Sequence, residues 1–382
     1  MRLAILGATG SIGTSTLRVV ASHPERFEVV GLAAGASRLE ELARQAAAVG
    51  ARWVVVPDRE SAARLSAMVP ARVRVESGAD ALAALAAAPE VERVVAAMVG
   101  CSGLRPVAAA LEAGKDVALA NKEALVAAGP LLLAIAERSG ARILPVDSEP
   151  VALDQVLRCG ERAEIERLVL TASGGPFLDR PLETWGSIEP HEALAHPTWS
   201  MGPKISVDSA TLMNKGLELI EAAILFGVPE DQIEIVVHPQ SLVHSLVEFR
   251  DGSWIAQLGP KDMTLPIQYA LTYPERVPCP ARRLGLAEIG ALEFRELDGE
   301  RFPSVELARS AARAGGSVPA VLSAANETAV AAFLAGRLPF PSIVPLVGAV
   351  LEAHVRAMPS AIEEVLEWDR WAREAACARL PA

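Results

Sequence analysis

Asn214, Lys215 and Glu218 stand at helical spacing in the segment of residues 204–218. One face near the start of such a helix would present an amide, an ammonium and a carboxylate together. A helix N-terminus favours anions, so Ser209, Asn214 and Lys215 are predicted to hold a phosphate. Glu218 would then be left for a cation. The alternative is a capped surface helix with one Lys–Glu pair.

A second pair of acids follows a predicted strand at residues 143–146. In extended chain, Asp147 and Glu149 project to the same side, where their charges repel unless a proton or a metal lies between them. With Glu218 as a third donor, these oxygens predict a site for Mg²⁺ or Mn²⁺. The alternative is a solvated turn before Pro150.

A glycine-rich turn, residues 7–13, follows a short apolar run at residues 3–6 and precedes a helical pattern. Strand, glycine turn and helix together predict a dinucleotide phosphate loop, because glycines let the backbone approach the pyrophosphate. A purely structural tight turn is the alternative. The predicted cofactor contacts in this turn are Gly7, Thr9, Gly10, Ser11 and Ile12.

The chain after the second predicted strand, residues 28–32, bears on the choice of cofactor. No carboxylate stands there to accept a ribose hydroxyl, and the predicted contacts are Gly35, Ser37 and Arg38. This favours NADP over NAD. Alternatively, Arg38 only opens the next helix.

Further strands are predicted at residues 53–56, 93–97 and 117–119, separated by Ala-rich amphipathic stretches. Such alternation predicts parallel βαβ units wound on both faces of a sheet, a Rossmann-like α/β domain. Two loops at strand ends, residues 98–103 and residues 121–123, should border the nicotinamide, with Asn121 and Glu123 as contacts. The second loop could instead be an ordinary helix start.

A proline- and glycine-dotted segment of about thirty residues precedes Lys204 and carries His196, Trp199 and Met201. Long irregular segments in compact domains are usually functional or disordered. This one is predicted to be a mobile lid, about residues 174–204, that closes over substrate and excludes water. The alternative for Trp199 is a core anchor of a static loop.

The later chain predicts a partly antiparallel second sheet with strands at residues 167–170, 233–237, 242–250 and 253–258. Asp251-Gly252 is a hairpin signal. His238 and His244 are predicted to be structural. The predicted domains are a Rossmann-like domain at 1–147, an α+β catalytic domain at 148–273, a linker at 274–303 and a C-terminal α-helical bundle at 304–382.

The composition argues against several classes of protein. A net charge of −11 without a basic cluster argues against nucleic acid as a partner. Four widely separated cysteines indicate neither a zinc knuckle nor a disulfide framework. No apolar run reaches membrane-spanning length, and the expected location is the cytoplasm.

Several of these segments together resemble the 1-deoxy-D-xylulose 5-phosphate reductoisomerase family. The resemblance runs nearly end to end, and the segment of residues 204–218 is highly specific to that family. It rests on residues 7–13, 121–123, 146–149, 173–177, 196–202 and 204–218.

The resemblance implies a homodimeric, NADPH-dependent enzyme of isoprenoid precursor synthesis by the non-mevalonate route. It would isomerise and reduce 1-deoxy-D-xylulose 5-phosphate with a divalent cation held by Asp147, Glu149 and Glu218. Lys122, Glu149 and His196 would be catalytic, and Gly202 would join the cofactor contacts. The implied substrate contacts are Lys122, Ser148, Glu149, Ser173, His196, Trp199, Ser209, Asn214, Lys215, Glu218 and Met263.

The sequence departs from the family pattern at two places. After the second strand only Ser37 and Arg38 are available for a 2′-phosphate, and Thr198 stands where Asn is frequent. Two other functions remain open: a metal-dependent sugar-phosphate isomerase or aldolase without a redox step, and a dinucleotide-sensing protein.

Overall fold

A computed structural model describes residues 1–381, which fold into two compact units. The N-terminal unit contains residues 1–124, 130–147 and 262–281. The second unit contains residues 125–129, residues 148–261 and the chain from residue 282 onward. The domain prediction differs from these units in two respects. Residues 262–281 belong to the N-terminal unit, and the C-terminal helices share one unit with residues 148–261.

Eleven strands are found among the described residues. They are β1 (Arg2–Leu6), β2 (Glu28–Ala33), β3 (Trp53–Val56), β4 (Arg74–Ser77), β5 (Arg93–Ala96), β6 (Asp116–Leu119), β7 (Ile143–Pro145), β8 (Ile165–Ala172), β9 (Ile233–Val237), β10 (Val243–Phe249) and β11 (Trp254–Leu258).

Residues 1–381 also contain sixteen α-helices. They are α1 (Ser11–Ser22), α2 (Leu39–Val49), α3 (Arg59–Ser66), α4 (Ala79–Ala87), α5 (Leu104–Glu112), α6 (Lys122–Ser139), α7 (Ser148–Val156), α8 (Pro190–Ala193), α9 (Pro203–Ala210), α10 (Met213–Phe226), α11 (Thr264–Thr272), α12 (Leu286–Ile289), α13 (Ser304–Ala314), α14 (Val318–Leu334), α15 (Ile343–Glu352) and α16 (Ile362–Cys377). None of the helices within residues 1–381 is long and apolar enough to cross a membrane.

The N-terminal unit is built on a seven-stranded sheet in the order β4-β3-β2-β1-β5-β6-β7, and every pairing in it is parallel. The chain winds outward from β1 to β4 and then from β5 to β7, so the winding direction reverses between β1 and β5. Doubly wound sheets bind ligands at the carboxyl ends of strands beside such a switch point. The predicted Rossmann-like fold is therefore confirmed.

Helix α11 completes this unit, although it follows the second sheet in sequence. Its side chain Gln268 shares a 3.0 Å hydrogen bond with His23 at the end of α1. The buried guanidinium of Arg93 on β5 donates to the carbonyls of Ala270 and Leu271 at 2.7 and 2.8 Å. These contacts satisfy carbonyls near the end of α11, which a helix leaves without intrahelical partners.

The second unit contains a four-stranded sheet in the order β11-β10-β8-β9. Strands β8 and β9 are parallel, whereas β10 pairs antiparallel with both β8 and β11. The prediction of a partly antiparallel sheet with a hairpin at Asp251-Gly252 is thus confirmed. His238 is also structural, because Nδ1 lies 2.7 Å from the Glu293 carbonyl and Nε2 accepts backbone N–H groups of Leu242 and Val243.

The segment of residues 204–218, in which one helix carrying Asn214, Lys215 and Glu218 was predicted, forms two helices. Helix α9 ends at Ala210, Leu212 adopts a left-handed φ of 57°, and α10 begins at Met213. Ser304 of α13 donates a 2.5 Å hydrogen bond to the Thr211 carbonyl at this break. The break creates a second helix N-terminus beside Asn214 and Lys215, where a partial positive charge favours anions.

Candidate active site

The turn between β1 and α1 has little room for side chains. Gly7 has φ +93°, and a Cβ there would lie 2.2 Å from the Ala97 carbonyl oxygen. A Cβ on Gly13 would lie 2.3 Å from the carbonyl oxygen of Gly7. No side chain caps the helix at Gly10. Bare backbone at a helix N-terminus fits a pyrophosphate. Of the predicted contacts, Thr9 lies in this turn, and Ser11 and Ile12 are the first two residues of α1.

The loop after β2 places Gly35, Ser37 and Arg38 on the surface. Nothing lies within 4 Å of a Cβ built on Gly35, so the space beside it is open. Helix α2 begins at Leu39, immediately after Arg38. Both readings of Arg38 therefore stay compatible with the fold, since the residue is exposed and also stands at a helix start.

The segment Asn121-Lys122-Glu123 lies after β6, at the start of α6. Asn121 is fully buried, and its Nδ2 donates to the Gly100 carbonyl at 3.1 Å and to Glu123 Oε2 at 2.8 Å. A Cβ on Gly103 would lie 2.0 Å from Asn121 Oδ1. The side chain of Asn121 therefore holds the loop of residues 100–103 at the end of β5, beside the switch point.

Lys122 and Asp147 form a buried ion pair within the N-terminal unit. Lys122 opens α6, and Asp147 follows β7, so both lie at carboxyl ends of neighbouring strands. Met263, implied by the family resemblance to contact substrate, lies just before α11 and packs against the apolar core of this unit.

The second unit contains a buried cluster around the ammonium of Lys215. Lys215 Nζ lies 2.8 Å from Glu149 Oε1 and also forms an ion pair with Glu218. Asn214 Nδ2 donates to Glu218 Oε1 at 2.6 Å, and Ser148 Oγ donates to Glu149 Oε2 at 2.7 Å. The predicted amide, ammonium and carboxylate of α10 therefore converge, and Glu149 joins them from α7.

Electrostatics in this cluster favour the charged forms. Burial alone would raise the pKa of Glu149, but the charges of Lys215 and His244 outweigh burial and lower it to about 2. Burial would lower the pKa of Lys215, yet Glu149 and Glu218 raise it above its usual value. The ammonium thus compensates the buried carboxylate of Glu218 and the partly buried carboxylate of Glu149, whose side chain is 19% exposed.

His244 of β10 lies beside this cluster. Burial lowers the pKa of His244, although the Glu149 charge and hydrogen bonds from the imidazole to the backbone at Pro260 and Gly259 oppose that effect. Its ring centroid lies 6.3 Å from that of Trp199. The predicted structural role is compatible with these backbone contacts, but the position of His244 near Glu149 was not foreseen.

Ser173, which follows β8, is joined to His196. The distance from Ser173 Oγ to His196 Nε2 is 3.0 Å, and the Gly175 backbone N–H donates to the same oxygen at 3.2 Å. His196 Nδ1 accepts the backbone N–H groups of Trp199 and Thr198 at 3.0 and 3.2 Å. Nδ1 therefore carries no proton, so Nε2–H donates to Ser173 and leaves the serine hydroxyl hydrogen for another acceptor.

The predicted lid, residues 174–204, is not uniform. Its first half packs on the core: the rings of Phe177 and Trp185 lie 5.1 and 5.4 Å from that of Phe340. Arg301 also donates to the Arg180 carbonyl at 2.5 Å. Beyond α8, residues 194–202 contain Trp199 and Met201 and reach Gly202, which precedes α9.

Within residues 1–381, no three carboxylate, imidazole or thiol groups are placed to hold a metal ion directly. The oxygen atoms of Glu149 and Glu218 both face the Lys215 ammonium, and Asp147 pairs with Lys122. Each carboxylate therefore already faces a cation. This donor set is all oxygen, which suits a hard divalent cation.

One polar contact to this region was missed at the sequence level. Asp208 of α9 is buried and accepts a 2.7 Å hydrogen bond at Oδ1 from Asn326 Nδ2 on α14. The available signal was a lone amide in the Ala-rich, apolar run of α14.

Comparison with known proteins decides the family. Residues 3–129 match a family described as 1-deoxy-D-xylulose 5-phosphate reductoisomerase, and residues 143–226 and 258–375 match C-terminal domains of the same family. The reductoisomerase of Symbiobacterium thermophilum is 51% identical over 379 residues, covering 98% of this chain and 97% of that protein. The chain belongs to the 1-deoxy-D-xylulose 5-phosphate reductoisomerase family.

Other reductoisomerases are also similar to this chain in sequence and structure. That of Moorella thermoacetica is 52% identical over 375 residues, 98% of this chain and 97% of that protein. The Zymomonas mobilis reductoisomerase in complex with NADPH superposes with a TM-score of 0.91 at 42% identity, over 99% of this chain and 97% of that one. A reductoisomerase with NADPH, fosmidomycin and magnesium gives a TM-score of 0.93 at 42% identity, over 99% and 98%.

Proposed function

We propose that this chain converts 1-deoxy-D-xylulose 5-phosphate to 2-C-methyl-D-erythrose 4-phosphate, using NADPH and a divalent cation, in isoprenoid precursor synthesis by the non-mevalonate route. The observation that carries this proposal is the match to reductoisomerases over 98% of the chain. The two clusters of polar residues, one in each unit, supply groups suited to the reaction.

The cofactor would bind at the β1–α1 turn. A Cβ on Gly7 or Gly13 would collide with neighbouring backbone carbonyls, so this tight turn forms only without side chains at those two positions. Such a turn leads directly into a helix N-terminus, where backbone N–H groups can bind a pyrophosphate. Ser37 and Arg38, exposed after β2, would contact the 2′-phosphate. The structure of the related Zymomonas mobilis enzyme is a complex with NADPH, which supports this assignment.

The divalent cation would be held by Asp147, Glu149 and Glu218. The reductoisomerase complex with magnesium supports this assignment, as does the all-oxygen donor set. A bound cation of this kind stabilises the negative charge that develops on adjacent substrate oxygens during rearrangement. Lys215 and Lys122, which now pair with these acids, would then be available to substrate oxygens.

The substrate phosphate would lie among Ser173, Ser209, Asn214 and Lys215. The start of α10 favours an anion there, and the tautomer of His196 leaves the Ser173 hydroxyl hydrogen free to donate. Holding the phosphate would orient the carbon skeleton, with Lys122 and Ser148 placed at its oxygens. Trp199, Met201 and Met263 would cover it and exclude water.

A homodimer in the cytoplasm completes the proposal. Strand β11 is the edge of the second sheet and presents Trp254 and Leu258 at 47% and 37% exposure. An uncovered edge strand with large apolar side chains favours association. Light scattering of the purified protein measures this directly; a monomeric mass at working concentrations would exclude the dimer.

The decisive experiment follows NADPH absorbance with purified protein and 1-deoxy-D-xylulose 5-phosphate, with Mg²⁺ or Mn²⁺ and again with a chelator. We expect substrate-dependent NADPH loss that disappears on chelation. Consumption of substrate without NADPH loss would instead select a metal-dependent isomerase or aldolase.

A variant pair tests the proposed metal ligand. Glu218→Gln should lower turnover at least about 100-fold, because the divalent cation would lose one of its proposed carboxylate ligands. NADPH should still bind. The matched control is Glu234→Gln, which removes a carboxylate from the half-exposed pair with Arg167 and should leave turnover unchanged. Normal activity and metal dependence in Glu218→Gln would remove Glu218 from the site.

A further inference from the structure

Asn326 is fully buried in the middle of α14, between apolar neighbours such as Ala325 and Ala329. We propose that Asn326 is a positioning residue that acts through Asp208 on the phosphate-binding end of α9 and on the base of the lid. This proposal deepens the proposed function and rests on it.

The contacts form a chain from α14 to α9. Asn326 Nδ2 donates to Asp208 Oδ1 at 2.7 Å, and Lys204 Nζ lies 2.8 Å from Asp208 Oδ2 as an ion pair. Asp208 is 1% exposed, and the side chain of Lys204 is 17% exposed. The two carboxylate oxygens of Asp208 therefore have different partners: Oδ2 faces the Lys204 ammonium, and Oδ1 accepts the hydrogen bond from Asn326.

The amide of Asn326 is only half satisfied. Its Oδ1 is buried and finds no hydrogen-bond partner among residues 1–381. A buried acceptor without a partner costs stability, and an apolar side chain of similar size would avoid that cost. Packing alone would therefore favour an apolar side chain over Asn326. The role that remains for Asn326 is to donate the hydrogen bond from Nδ2 to the Asp208 carboxylate.

Asp208 holds two functional segments in place. The next residue is Ser209, a proposed phosphate ligand, and Lys204 follows Gly202 and Pro203, where the lid joins α9. A rotation of Asp208 would move both. The hydrogen bond from Ser304 to Thr211 restrains the other end of the same turn.

The test combines Asn326→Leu, which keeps volume and removes the donor, with Asp208→Asn in a double-mutant cycle. In the wild-type background, Asn326→Leu should raise both the KM for 1-deoxy-D-xylulose 5-phosphate and the inhibition constant of inorganic phosphate about tenfold, with unchanged NADPH affinity. In the Asp208→Asn background, Asn326→Leu should change the KM and the inhibition constant less than about threefold, because the hydrogen-bond partner of Asn326 is already altered.

Two variants of α14 control for stability. Ser323→Ala removes a buried hydroxyl that has no hydrogen-bond partner among the described residues, and Val330→Ala loses buried methyl groups. Both should leave KM and phosphate inhibition at wild-type values, although Val330→Ala lowers the melting temperature. If Asn326→Leu does not fold, Asp208→Asn alone should raise both constants.

The outcomes separate this inference from the proposed function. Wild-type enzyme without turnover overturns the proposed function and this inference with it. Wild-type turnover with unchanged KM and phosphate inhibition in Asn326→Leu, or with equal effects in both backgrounds, overturns only the positioning role. If Asn326→Leu weakened NADPH binding as strongly as it raised the KM, the variant would have a general structural defect. That result would also overturn the positioning role.

Discussion

Lys215 Nζ lies 2.8 Å from Glu149 Oε1, across 66 residues of sequence, and the same ammonium pairs with Glu218 one turn further along α10. One buried cation therefore compensates one buried and one partly buried carboxylate. Removing one partner of such a group leaves an uncompensated charge, which usually costs about 3–5 kcal/mol.

Lys215→Met should accordingly reverse the contribution that Glu149 makes to the pH dependence of the free energy of unfolding in metal-free protein. In the wild type, the pKa of Glu149 is lowered from 4.5 to about 2, so its contribution is present above pH 4.5 and is lost as pH falls towards 2. Without the ammonium, burial raises the pKa of Glu149, and stability is lost as pH rises above 4.5. Urea unfolding in the presence of a chelator measures both slopes.

The control for this variant is Arg282→Met, which breaks the exposed ion pair with Glu288. It should change the free energy of unfolding by no more than about 0.5 kcal/mol at any pH, because exposed pairs contribute little. If Lys215→Met were as stable as wild type at neutral pH without metal, the proposed charge compensation would be wrong.

Much of the fold follows from sequence because buried strands carry apolar runs. Strands β1, β3 and β5 are fully or almost fully buried, and their Val, Ile and Leu residues are visible as such. The edge strand β4 was missed because its residues, Arg74–Ser77, are half exposed and mostly polar. At this sheet edge, hydrogen bonds to β3 define the strand, and its sequence shows no apolar pattern from which a strand could be predicted.

The break between α9 and α10 could not be predicted for a different reason. A left-handed turn is normally marked by glycine, whereas Leu212 occupies it here with a fully buried side chain. Packing of that side chain in the core overrides the local preference. The pairings of Lys215 with Glu149 and of Asp208 with Asn326 likewise depend on tertiary structure and not on spacing.

Gly13→Ala should weaken NADPH binding. The added Cβ would lie 2.3 and 2.4 Å from the carbonyl oxygens of Gly7 and Ala8, so the turn must open, at a cost of about 1–3 kcal/mol. Fluorescence titration with NADPH measures the loss. Gly299→Ala is the control, since nothing lies within 4 Å of a Cβ built there. Equal NADPH affinity in both variants would exclude this turn as the phosphate loop.

Arg38→Ala should lower the preference for NADPH over NADH. A hydrogen bond to a charged phosphate contributes about 1.5–3 kcal/mol, so NADPH affinity should fall roughly tenfold to a hundredfold while NADH affinity stays the same. Arg52→Ala, which removes another exposed arginine of this unit, is the control. A parallel loss for both nucleotides would place Arg38 outside the 2′-phosphate site and leave it as a helix-start residue.

His196 should remain neutral through the physiological range, because burial lowers its pKa from 6.5 to about 4. The unfolded chain then binds a proton that the folded chain does not. The stabilising contribution is therefore complete above pH 6.5 and is lost as pH falls towards 4. NMR titration of the imidazole should give a midpoint near 4, and His196→Gln should show a shallower fall of unfolding free energy over the same interval. A midpoint at the ordinary histidine value would contradict the lowered pKa of His196 and its neutrality through the physiological range.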